Sequence, residues 1–96
     1  MKKFMYLYVG PWLFEPEIMK GWQEWFAAVG PHLVDSGNPF AGGREVTKTG
    51  SSELAAGPGA ITGYSIVNAE TLDDAEKLLE GCPIMESVRI YEAASM

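Results

Sequence analysis

Lys3-Phe4-Met5-Tyr6-Leu7-Tyr8-Val9, closed by Gly10-Pro11, alternates along its length. Phe4, Tyr6 and Tyr8 point to one side, and Met5, Leu7 and Val9 to the other. Aromatic and β-branched residues at this spacing favour a strand. Both sides are apolar, so both need a cover. Gly10-Pro11 stops the run. Met1-Lys2-Lys3 before it is basic, as in a leader, but the alternation and the lack of a small-residue cleavage site make it a strand.

Outward from this strand, the spacing predicts a helix from Glu15 to Val29. Pro16 suits its first turn, and Glu15 and Glu17 suit its positive end. Ile18, Trp22, Trp25, Phe26 and Val29 fall on one face. Gly30-Pro31 reads as its stop, with Gly30 as a left-handed cap. His32 to Ser36 reads as a short strand. Arg44 to Thr49 alternates into a turn at Gly50-Ser51, with a short partner from Ser52 to Ala55. Ala60 to Asn68 is a strand. Leu72 to Glu80 is a helix, opened by Thr71 as cap and ended by Gly81 and Pro83. Glu86 to Ala93 is the last strand, with Val88 and Ile90 on one face and Ser87, Arg89 and Tyr91 on the other.

The order is β-α-β-hairpin-β-α-β. It predicts an α+β, ferredoxin-like βαββαβ layer, an antiparallel sheet with two helices on one face. Residues 1–96 suffice for a single domain. Two helices cover one sheet face only. The other face of the first strand needs a partner, and the simplest is a second copy, giving a homodimer.

Composition narrows the function. A net charge of −6 argues against nucleic acid, which is bound through Lys and Arg. The apolar runs fall short of the ~18 residues that span a membrane. The single cysteine, Cys82, cannot form an internal disulfide, which fits a cytoplasmic protein. Its place at a helix C-terminus raises its pKa and argues against a reactive thiolate. One His and one Cys, far apart, predict no metal site. Gly42-Gly43-Arg44 and Gly57-Pro58-Gly59 lack the spacing of phosphate or dinucleotide loops, so no cofactor is expected.

The chain resembles the YCII-related family, including its DGPF-type branch. The resemblance rests on Phe4 to Gly10, on Pro16-Glu17-Ile18-Met19 with Trp22 and Trp25, and on Leu33-Val34-Asp35-Ser36-Gly37-Asn38-Pro39. It is most specific in Gly63-Tyr64-Ser65-Ile66-Val67-Asn68-Ala69-Glu70-Thr71-Leu72-Asp73-Asp74-Ala75, and continues in Gly81-Cys82-Pro83 and Ser87-Val88-Arg89-Ile90. It implies a dimeric α+β barrel with two sheets packed face to face. Two departures stand out. The Asp-Gly-Pro-Phe motif is reduced to Ala56-Gly57-Pro58-Gly59. The first-helix His of the members proposed as enzymes is missing, so their His-Asp pair does not carry over.

The candidate chemistry is small. His32 is the only side chain that ordinarily titrates near neutrality, and Asp35 is its candidate partner as an acid–base pair. The alternative for His32 is a helix-end residue bonded to nearby carbonyls. Trp12 and Trp22 are candidates for ligand or dimer contact, and core packing is the alternative. Arg89 points into the inter-sheet space. It requires an anionic ligand or an ion pair with Glu86 or Glu92. The expected site is a pocket between the first helix, the Trp12 loop and the sheet. Tyr8, Tyr64, His32 and Arg89 would supply its polar contacts. The function expected is binding of a small molecule, anionic by the Arg89 argument, with or without specialised catalysis. The alternative is a non-catalytic regulatory or assembly module acting through the sheet face.

Overall fold

The structure, a computed structural model, describes residues 1–95. The alternating opening segment forms β1 (Lys2–Val9). Then come α1 (Pro16–Val29), a 3-10 turn (Gly30–His32) and β2 (Leu33–Asp35). A hairpin of β3 (Gly43–Thr47) and β4 (Gly50–Leu54) leads to β5 (Ile61–Ala69), α2 (Leu72–Lys77) and β6 (Ser87–Ala93). The main sheet runs β2-β5-β1-β6, with antiparallel pairing throughout. The architecture is α+β and compatible with a ferredoxin-like fold. No helix among the described residues is long and apolar enough to cross a membrane.

The registers explain which face is buried. Tyr6 pairs with Ser65 and Ile90, and Phe4 with Val67 and Glu92. Phe4, Tyr6, Tyr8 and Val67 pack against Trp22, Trp25 and Val29 of α1 and Ala75 of α2 in one core. Met5 and Leu7 alternate to the other face and are only half-buried. That face also presents Val34, Phe40 and Tyr91, which are exposed. The molecule is only 18 Å through its thinnest direction, the depth of one helix layer on one sheet.

Helix α2 is too short to persist alone. Its N-terminus is capped by Thr71, whose Oγ1 accepts from the Asp74 N–H at 3.1 Å. Its C-terminal half is fastened by two aromatic donors. Tyr6 Oη donates to the Ala75 carbonyl. Trp25 Nε1 donates to the Leu78 carbonyl at 2.7 Å. These bonds satisfy helix-end carbonyls that would otherwise lack a partner.

Three local expectations change. Gly30 is not a left-handed cap. Its φ is −40°, and the chain tightens into the 3-10 turn instead. The hairpin turns at Lys48-Thr49, since Thr47 faces Gly50 across the ladder. Thr47 Oγ1 supplies the reason: it donates to the Gly50 carbonyl at 3.2 Å and accepts from the Thr49 N–H at 3.3 Å, so the turn closes without a left-handed residue. The second helix ends at Lys77 rather than Glu80, and the left-handed Gly81 (φ +84°) follows a run of turns.

Trp25 is 2% exposed and Trp12 is half-buried. Trp25→Ala removes core volume and the bond that holds α2, so it is expected to cost about 3–5 kcal/mol. Trp12→Ala is expected to cost less. Denaturant unfolding of the two variants checks the order, and the reverse ranking would mean that α1 does not dock as described.

Candidate functional site

Trp12 leaves β1 just past Gly10-Pro11 and turns back over the sheet. Its Nε1 donates to the Thr62 carbonyl on β5, which pins the loop. Its ring meets Trp22 at 5.2 Å and Tyr8 at 6.1 Å between centroids. Trp22 in turn lies edge-on to Tyr8 at 5.0 Å and close to Phe26 at 5.7 Å. These four rings, with Phe14 and Met19, line a half-open cavity of about 400 Å³ between α1, the Trp12 loop and the segment Ser36-Gly37-Asn38-Pro39. That is within the range of small-molecule sites.

Gly37 makes this narrow geometry possible. Its φ is +76°, and a Cβ there would sit 1.7 Å from the Tyr64 carbonyl oxygen. No side chain fits, so the segment after β2 lies directly on β5. Asp35 reinforces the bend by accepting from the Gly37 N–H at 2.8 Å.

A short polar chain runs beneath the rings. Tyr8 Oη donates to Ser65 Oγ at 2.8 Å, and Ser65 Oγ donates to the Ser36 carbonyl at 2.7 Å. Ser65 is fully buried, so this chain satisfies groups that would be costly to leave unpaired. Burial pushes the Tyr8 phenol well above its usual value of 10.0, the Ser65 bond pulling it partly back. Trp22 Nε1 is the one buried side-chain donor among the described residues with no acceptor. It is packed among rings, where π faces are the available partners.

The structure brings Tyr8, Trp12 and Trp22 together. Tyr64 borders the cavity only through its backbone segment: paired opposite Leu7, its side chain alternates to the open sheet face, where its phenol donates to Asp35 at 3.2 Å and its ring stacks on Phe40 at 5.8 Å. His32 does not reach this cavity. It lines a separate hollow with Met1, Ala69, Glu70, Asp74 and Lys77, because the 3-10 turn carries it toward the other end of β1. Asp35 is exposed and bonded to Gly37 and Tyr64, and it forms no ion pair with His32. The expected acid–base pair is therefore not assembled. Arg89 also lies elsewhere. Paired opposite Leu7, it alternates to the open sheet face and lines a second cleft there.

Sequence reasoning passed over Ser65, Ser36, Phe14 and Met19. Ser65 carried a signal, since a Ser inside an apolar strand asks for a buried partner. Ser36, Phe14 and Met19 had none, because only the approach of separate segments makes them neighbours. Among the described residues no group of three or more His, Cys, Asp or Glu could hold a metal ion. The cavity wall offers hydroxyls, indoles, the Asn38 amide, the Met19 thioether and backbone, and no carboxylate, imidazole or thiol. Its chemistry is that of holding a molecule by stacking and shape.

Burial raises the Cys82 thiol from 9.0 to about 12, and the Tyr6 phenol from 10.0 to about 12. The low reactivity expected of Cys82 from its helix end thus has burial as its main cause. No family model, curated protein or solved structure matches this chain.

Tyr6, Tyr8 and Cys82 hold their protons more tightly folded than unfolded. Their contribution to stability is complete below the unfolded values and is lost as pH climbs from about 9 through about 12. Denaturant midpoints are expected to fall steadily from about pH 9 upward. A flat profile to pH ~11 would show that these groups are not held as described.

Proposed function

We propose that the chain is a YCII-related protein that binds a small apolar, ring-bearing molecule in the cavity formed by Tyr8, Trp12, Trp22 and Phe26. The observation that carries this reading is the cavity itself. Interlocked aromatic side chains normally fill the space between them. Here they border a half-open space of about 400 Å³ instead of closing over it. Ring faces favour stacked and edge-on guests, and Ser36 and Asn38 at the border offer polar contacts. The ring-lined wall suits holding a molecule by stacking, and the reading is a binding protein. The anionic preference expected from Arg89 does not belong to this cavity.

The neutral dye N-phenylnaphthylamine tests this. It is expected to bind with enhanced fluorescence and energy transfer from tryptophan. Trp12→Ala, which removes a wall, and Met19→Trp, which fills the space, should each weaken binding by about tenfold. Fluorescence equal to that in buffer, or equal binding by all three proteins, would sink the proposal.

A second reading, assembly through the sheet face, rests on the hairpin. Every residue of β3 and β4 is exposed, including Val46 at 74% and Leu54 at 53%. A two-stranded hairpin in water is marginal by itself. The neighbouring sheet face shows Val34, Phe40, Ile61 and Tyr91. A second copy laid face to face would cover both, as in a dimeric α+β barrel. Sedimentation at micromolar concentration is expected to give twice the 10.5 kDa chain mass, and Val46→Glu to shift it toward one chain. Wild-type protein sedimenting as a single chain would remove the dimer.

A further inference from the structure

The open sheet face carries a second cleft, larger than the aromatic cavity. It has a volume of about 670 Å³ and lies between β1, β5 and β6 on one side and the root of the β3–β4 hairpin on the other. Its walls are of two kinds. Leu7, Phe40, Leu54 and Ile61 give an apolar surface. Arg44 and Arg89 give two guanidiniums, one from the hairpin and one from the sheet.

Neither guanidinium has a carboxylate. The only ion pairs among the described residues are Lys2 with Glu92 and Lys20 with Glu24. This is unexpected in a chain with 13 acidic side chains against 7 Lys and Arg. Of the acids nearest in sequence or register, two are engaged elsewhere and two make no ion pair. Glu86 accepts from the Gly59 N–H at 3.0 Å, and Glu92 takes Lys2 at 3.8 Å. Glu53, across the ladder from Arg44, makes no ion pair with it. Glu45 is the one carboxylate in the cleft wall, and it pairs with neither arginine.

We propose that this cleft is a site for a small organic carboxylate with an apolar body. Its two oxygens are taken by the forked guanidiniums of Arg44 and Arg89, and its body lies on Leu7, Phe40, Leu54 and Ile61. Arginine suits this role because its planar fork matches the two carboxylate oxygens. The apolar wall selects against inorganic anions, which offer nothing to bury. The site is separate from the aromatic cavity. Arg44 alternates as a solvated hairpin charge in the sequence, and only the fold brings it into the same cleft as Arg89.

The test compares naphthoate with its neutral counterpart naphthylmethanol by titration calorimetry at low salt. Wild-type protein is expected to favour naphthoate by about tenfold or more, and added salt to erode the preference. The double variant Arg44→Gln, Arg89→Gln is expected to lose the preference while keeping its melting temperature, since both side chains are exposed. Should the double variant melt early, each single variant should still lose part of the preference. Equal binding of the two compounds by wild-type protein, or an undiminished preference in the variants, overturns the proposal. So does displacement of naphthoate by N-phenylnaphthylamine, which would put the anion in the aromatic cavity. Failure of the dye to bind at all touches only the cavity reading.

Discussion

Two buried tyrosines on one strand constrain the rest of the structure. Tyr6 and Tyr8 are turned inward by the alternation of β1, and each brings a hydroxyl into the core. A buried hydroxyl without a partner costs about 1–3 kcal/mol, so each must be met by something specific. Tyr6 finds the Ala75 carbonyl and so fixes α2 on the sheet. Tyr8 finds Ser65, which hands on to Ser36 and so fixes the segment after β2. One strand thereby places both α2 and the segment after β2.

The aromatic cavity follows from the same constraint. Tyr8 holds its ring upright beneath Trp22, at 82° to it. Trp12 is tied to Thr62, and the Ser36-Gly37 segment is drawn onto β5 by the Ser65 bond and by the missing Cβ of Gly37. None of these groups is free to move in and fill the space. The rigidity that secures the core is what keeps the cavity open. Function would then rest on groups whose first role is structural.

The two sheet faces divide the work. The helix face carries the aromatic core, and its buried polar side chains are hydrogen-bonded apart from the Trp22 indole. The open face is apolar, flanked by an exposed hairpin, and carries two unpaired arginines. A thin layer of this kind has its polar and apolar demands met on one side only. The proposed second copy and the proposed carboxylate both answer the unmet side, and they are compatible, since a face-to-face copy would close the cleft over its occupant.

Much of the fold was written in the local pattern. The period-two alternation of β1, the helical spacing of Trp22, Trp25 and Val29, and Thr71 ahead of α2 each report a preference that neighbouring residues impose. The α+β order and the aromatic nature of the site came from these. Where local chemistry was ambiguous, the reading slipped: Gly50 looked like the turn, but the Thr47 hydroxyl moved it to Lys48-Thr49. What only tertiary structure decided was which distant groups meet. His32 and Asp35 are near in sequence, yet a 3-10 turn and a claim on Asp35 by Gly37 and Tyr64 send them apart. Arg44 and Arg89 are far apart in sequence, yet the hairpin root and β6 set them in one cleft. Periodicity fixes the side of an element on which a residue lies. It carries no information on which element will face that side, because that depends on packing the whole chain at once.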